Sequence, residues 1–198
     1  MIDEDNTKPA SNFNVHAGGA ARPPHRGAGG AEVNISHATF SPCRRYRYTL
    51  FRDLGMQGPQ LTVVMLNPST ADAVKDDPTI RRVIGFAKSW GHGSLLVLNL
   101  FAIRATDPRE MLAADDPVGP ENDEHLAREL RMAKGDGRFV LAAWGAHGGH
   151  MSRDFHVMHK LVDGVEWRCL GRTHQGHPRH PLYVPTIQAM VPLAKETQ

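Results

Sequence analysis

The 198-residue chain is expected to fold as an α/β protein, a three-layer α/β/α sandwich around a mostly parallel central sheet of four to five strands. Two observations predict this. Four apolar runs of strand length, residues 61–66, 95–98, 139–143 and 167–170, are bounded by turn formers. Segments with apolar residues at helical spacing lie between them, which implies βαβ units. A third observation bears on function, because each run leads into a polar cluster. Residues 61–66 run into Asn67-Pro68-Ser69-Thr70, 95–98 into Asn99, and 139–143 into Trp144-Gly145. The fourth run leads, after Gly171, to His174, His177 and His180. Open α/β sheets bind ligands outside the carboxyl ends of their strands, so one crevice can collect all four clusters.

The elements follow in order. Residues 1–36 are rich in Gly, Ala, Pro, Asn and His and lack periodicity. They bury too little apolar surface to offset their ordering entropy, so they are expected to be a disordered tail, with residues 37–198 as a single domain. Residues 46–51 alternate bulky and polar side chains and suit an edge strand or hairpin arm. After the strand at 61–66, Asp77-Pro78 starts a helix as N-cap and first-turn proline. Ile80, Val83, Ile84 and Ala87 continue it at helical spacing, and Gly91 and Gly93 end it. Asp107 to Glu110 fits a capping box for a short helical turn. Leu126, Leu130 and Ala133 mark a helix from about Asn122 to Gly135. Phe155, Met158, His159 and Val162 form the stripe of another, closed by Asp163-Gly164. A last short helix is expected around 186–193.

Composition narrows the functional classes. Net charge is +2, too small to demand a nucleic-acid partner. The one basic run, Arg44-Arg45-Tyr46-Arg47 with Arg52 beyond it, reads as a solvated edge strand. Two cysteines, Cys43 and Cys169, make no disulfide framework and suit a reducing cytosol. No signal-peptide core and no apolar stretch of membrane-spanning length is present. The expectation is a cytoplasmic protein with no membrane partner. Neither a P-loop, a G-x-G-x-x-G opening nor G-x-S-x-G occurs, which weakens the reading as an unrelated α/β hydrolase or transferase, and no cofactor is expected.

Candidate site residues come from the strand ends. Asn67-Pro68 reads either as a tight turn or as a loop that projects the Asn67 amide while Ser69 and Thr70 add hydroxyls and backbone donors. Asn99 carries a donor and an acceptor on one rigid amide, which matches the edge of a nucleobase; its other reading is a turn residue. Phe101 supplies either a stacking face or core packing. Trp144 is expected to pack beside the site. His177, Arg179 and His180, held among prolines, can bind or protonate an oxyanion, or form a solvated loop. Among the acids, Asp77 is accounted for as a cap, which leaves Asp72 and Asp76 free to activate water. His147, His150, His156 and His159 have tempting spacings, but nothing resembling HExxH or CxxC accompanies them, so no metal is expected.

Taken together, Asn67-Pro68, Asn99 after its apolar run, Trp144-Gly145-Ala146-His147 and His180-Pro181-Leu182 resemble, in this order, the strand-end motifs of the uracil-DNA glycosylase superfamily. More closely, the stretch from Phe40 through Met65-Leu66-Asn67-Pro68-Ser69-Thr70-Ala71-Asp72, Asp76-Asp77-Pro78 and Pro120-Glu121-Asn122-Asp123 to His180-Pro181-Leu182-Tyr183 resembles a bacterial and phage domain family of unknown function. The resemblance to glycosylases implies their fold and a nucleic-acid or nucleotide partner. It further implies that Asn67 positions a hydrolytic water, Asn99 reads the base and His180 stabilises the departing base. Where some members carry Asp, this chain has Asn67, an amide that can orient water but cannot accept its proton. The expected function is an N-glycosylase-like hydrolase. The alternatives are a nucleotide- or base-binding module without turnover, and an unrelated α/β hydrolase or transferase.

Overall fold

The computed structural model describes residues 36–69, 71–72 and 74–193. The expected N-terminal tail therefore lies, but for Ser36, outside the described residues. Seven strands form one mixed sheet: β1 (His37–Phe40), β2 (Arg47–Asp53), β3 (Gln60–Met65), β4 (Ser94–Asn99), β5 (Val140–Ala142), β6 (Trp167–Cys169) and β7 (Val191–Pro192). Their spatial order is β1-β2-β4-β3-β5-β6-β7. The four apolar runs form the parallel centre, β4-β3-β5-β6. β1, β2 and β7 flank it antiparallel, so the sheet is larger and more mixed than the expected four to five strands.

Strand alternation divides the core. Leu61, Val63 and Met65 of β3 pack with Ile80, Val83, Phe86 and Ala87 of helix α1 (Pro78–Ser89). Val64 and Leu66 point the other way, toward Leu126, Leu130 and Ala133 of α3 (Asn122–Gly135) and Met111 of the short α2 (Pro108–Leu112). Each fully buried large side chain contributes about 1.5–3 kcal/mol, which outweighs helix propensity as the reason these segments dock. Asp77 caps α1, its Oδ1 accepting the Ile80 N–H at 2.8 Å, and Asp107 caps α2 through the Arg109 N–H at 2.9 Å.

Three local readings need correction. β2 is a hairpin arm, but it lies between β1 and β4, and of the basic run only Arg44 and Arg45 are exposed. Arg47 and Arg52 are only 2% and 5% exposed. Arg47 donates to the Ala71 carbonyl at 2.6 Å, while Arg52 pairs with Asp76 at 2.8 Å and donates to the Asp72 carbonyl at 2.5 Å. Arg52 is satisfied by a carboxylate and a carbonyl of the β3–α1 loop; Arg47 has the Ala71 carbonyl of that loop, while its Nε has no partner among the described residues.

The helix expected over 155–162 is a single α turn, α4 (Arg153–Phe155), followed by a π-helical turn over His156–Leu161. The wider turn changes which residues face inward: Val157 is buried, whereas Phe155 is 40% exposed. The helix expected at 186–193 is absent, and β7 pairs there with β6. Pro192 cannot donate to a ladder, which suits a strand at the sheet's edge.

Candidate functional site

Because β3, β4, β5 and β6 are parallel and in register, with Met65 opposite Asn99 and Ala142 opposite Cys169, their following loops meet at one edge. They enclose an open cleft of about 660 Å³. The β3 loop contributes Asn67 and Ser69, the start of α1 contributes Asp77 and Thr79, and β4 ends in Asn99. Trp144 and His147 follow β5, and Arg179 and His180 come from the loop after β6.

Backbone lacing holds the first two loops together. The Leu100 N–H donates to Met65 O, the Phe101 N–H to Leu66 O and the Ala105 N–H to Pro68 O, at 2.8–2.9 Å. Asn67 joins this lacing through its NH2, which donates to Ala105 O at 2.8 Å and Pro68 O at 3.1 Å. Two carbonyl acceptors fix the orientation of the amide, so its oxygen is the atom left to offer the cleft.

Asn99 differs. It is 1% exposed, and neither its Nδ2 nor its Oδ1 has a hydrogen-bond partner among the described residues. Its backbone, by contrast, is clamped. The Asn122 amide donates to the carbonyls of Asn99 and Leu100 at 3.1 Å each, and Arg153 Nε donates to Leu100 O at 2.8 Å. Arg153 is itself anchored by Asp123. A buried amide with both ends unpaired costs about 1–3 kcal/mol, and this one is held in place at the cleft wall.

Two more buried groups line the cleft. Trp144 is 2% exposed, its Nε1 has no partner among the described residues, and it stands edge-on to Trp167 at 5.9 Å. Gly148 explains how its ring is covered: a Cβ there would come within 2.0 Å of Trp144 Cδ1. Arg47 reaches the cleft through a β-bulge. Phe40 pairs with Arg47 but Thr39 with Thr49, so Tyr48 is the extra residue. The bulge sends Tyr48 to the α3 side, stacked on His125 at 4.7 Å, and Arg47 to the α1 side. Burial pushes the Arg47 guanidinium down to about 10, partly offset by the charge of Asp77.

His180 caps the one-turn 3₁₀ helix Pro181–Tyr183 by accepting the Leu182 N–H at Nδ1, 3.4 Å away. Burial lowers its pKa, and the Asp77 carboxylate opposes that shift. With Nδ1 accepting, the ring proton of neutral His180 sits on Nε2 as a donor. Gly145, at φ 76°, turns the chain beside it.

The remaining sequence candidates lie elsewhere. Pro68 serves the loop lacing through its carbonyl rather than lining the cleft. Thr70 lies outside the described residues. Phe101 is fully buried in the core. Asp72 folds back on its own turn, Oδ1 accepting the N–H groups of Val74 and Lys75 at 2.8 Å, which lowers its pKa. Asp76 is held by Arg52. His177 lines a separate pocket of about 260 Å³ behind Trp144, with Asp154 at 3.9 Å. The other histidines disperse: His150 tilts on Phe101, His156 stands 3.4 Å from Asp123 and His159 packs on Phe155. No group of three or more His, Cys, Asp or Glu positioned to hold a metal occurs among the described residues, and no helix there is long and apolar enough to cross a membrane.

A family model for a protein of unknown function, DUF1643, matches residues 47–182, more than half of the chain. The chain belongs to the DUF1643 family. No curated protein and no solved structure matches it. The DUF1643 match contains every cleft-lining residue except Tyr183, so cleft and family domain coincide. Sequence reading missed four site-building residues in this family member: Arg47, Asp77, Asn122 and Arg153. The buried run around Arg47 and the Asn122-Asp123 pair at a helix start were the available signals.

Three histidines make stability pH-dependent. His92, His125 and His180 all have lowered pKa values, chiefly through burial. The unfolded chain therefore takes up protons near the ordinary imidazole value of about 6.5 while the folded protein still refuses them. Their contribution is intact above that value and is lost as pH falls through it. The expected result is a Tm that declines from about pH 7 to pH 5, with a shallower decline for His92→Asn. A Tm unchanged across that window would contradict the burial argument.

Proposed function

We propose that the cleft binds a nucleobase and that the protein is an N-glycosylase-like hydrolase, cleaving the bond between base and sugar in nucleic acid or in a modified nucleotide. The observation that carries this reading is Asn99: a buried residue of the cleft wall whose backbone is clamped while its side-chain amide keeps a donor and an acceptor without partners among the described residues. A base edge offers the complementary pair on one rigid group. The motif order that resembles the uracil-DNA glycosylase superfamily, and its α/β fold, support the same reading.

The surrounding groups suit the chemistry. Breaking the glycosidic bond leaves negative charge on the base and positive charge on the sugar. With Nδ1 facing the Leu182 N–H, neutral His180 offers Nε2–H as a donor for the leaving base, and a donor already in place stabilises developing charge. The Asn67 oxygen can accept a hydrogen bond from water and so orient it. A base within a duplex would have to leave the stack to reach such a pocket.

The test is base release from single- and double-stranded DNA and from free nucleotides carrying uracil, hypoxanthine or modified pyrimidines. Asn67→Ala and His180→Ala are each expected to slow release by about 10²-fold or more, the scale of losing one preorganised donor or orienting group. A second reading, a base-binding module, is favoured by one observation, the inability of the Asn67 amide to accept a proton. Binding that Asn99→Ala abolishes, with no release from any substrate, would establish that second reading.

A further inference from the structure

Hydrolysis needs a proton acceptor that Asn67 does not provide. We infer that Asp77, the N-cap of α1, is also the base that accepts the proton of the attacking water; this rests on the hydrolase reading above. Asp77 is the one carboxylate lining the cleft among the described residues. Its two neighbours in the loop are committed elsewhere, Asp72 to the amides of Val74 and Lys75 and Asp76 to Arg52.

The local geometry separates two roles on one side chain. Asp77 is 8% exposed, and Oδ1 accepts the Ile80 N–H at 2.8 Å. A carboxylate has a second oxygen, and here the residue carrying it faces the cleft that Asn67, Asn99 and His180 share. Arg47 and His180 line the same cleft as Asp77, whose charge favours the protonated form of both. The cap bond fixes the side chain, so the free oxygen is held in one place rather than swinging into solvent.

The step balances without a further reactant. A water lone pair forms the bond to the sugar C1′ while the C1′–N bond breaks and its electron pair leaves with the base. The water gives one proton to Asp77 Oδ2. That proton then passes to the released base, which restores the carboxylate.

Asp77→Asn separates cap from base, because Asn caps a helix as well as Asp does. The variant keeps the cap but loses the charge that offsets the burial of Arg47, so it is expected to fold with a somewhat lower unfolding temperature and to bind nucleotide, yet to release base about 10²- to 10⁴-fold more slowly in single turnover, the range for general-base catalysis. Should Asp77→Asn fold poorly, Asp77→Ser supplies a cap without a carboxylate, and the same loss of rate is expected. Release within about threefold of wild type by a folded variant would overturn the role of Asp77 and leave the hydrolase reading standing. No release by the wild-type protein from any substrate would overturn both.

Discussion

Asn99→Leu is expected to stabilise the protein while abolishing recognition of the base. Leucine is close to asparagine in shape and brings no polar atom to a site where Nδ2 and Oδ1 are both buried and unpartnered among the described residues. Removing the two unpaired atoms should raise the free energy of unfolding by about 1–2 kcal/mol. The braces on this position survive, because Asn122 and Arg153 donate to the main-chain carbonyls of Asn99 and Leu100 rather than to the side chain. Function should behave oppositely, since an apolar group leaves the base edge without partners. Gain of stability with loss of activity is the signature of a polar group kept for its ligand. Urea unfolding and base release, measured on the same preparation, test both halves. A loss of stability above about 1 kcal/mol would show that the amide holds the fold instead.

Phe101→Ala is expected to cost about 3–5 kcal/mol, enough to unfold a domain of ordinary stability at 37 °C or close to it. Phe101 sits two residues beyond Asn99, and by sequence it can be a stacking face, although a core phenylalanine is the commoner outcome. In the structure it has no exposed surface and packs in the cluster that contains Met111, Leu126 and Trp144. Phe101→Leu should therefore keep the fold at a cost below about 1.5 kcal/mol and retain base release. A folded Phe101→Leu protein that no longer handles its base would show that the ring touches the ligand after all.

How much of this was legible beforehand depends on the distance over which each feature is encoded. The caps at Asp77 and Asp107, the start of α3 at Asn122 and the four central strands follow from patterns a few residues long. Apolar periodicity and cap chemistry act within one turn or one strand, so they survive any tertiary context that can bury them. The π turn after Phe155 and the short β7 run against local pattern. There the need to bury Val157 and to cover β6 outweighs propensity.

The sequence by itself determined the α/β class, the parallel centre and the residue types standing at each strand's carboxyl end. Only the tertiary structure decided which of those residues share a cleft and which partners they keep. Arg47 turns inward because a bulge at Tyr48 and the Ala71 carbonyl, 24 positions away, make its burial tolerable. Asp72 is lost to its own turn, while Asp77 is placed against the cleft by the helix it caps. Asn122, 23 positions on, engages the Asn99 backbone, and no described residue engages its amide. The physical reason is common to all three. A polar side chain acquires its role from the partners that burial leaves available, and those partners come from remote parts of the chain.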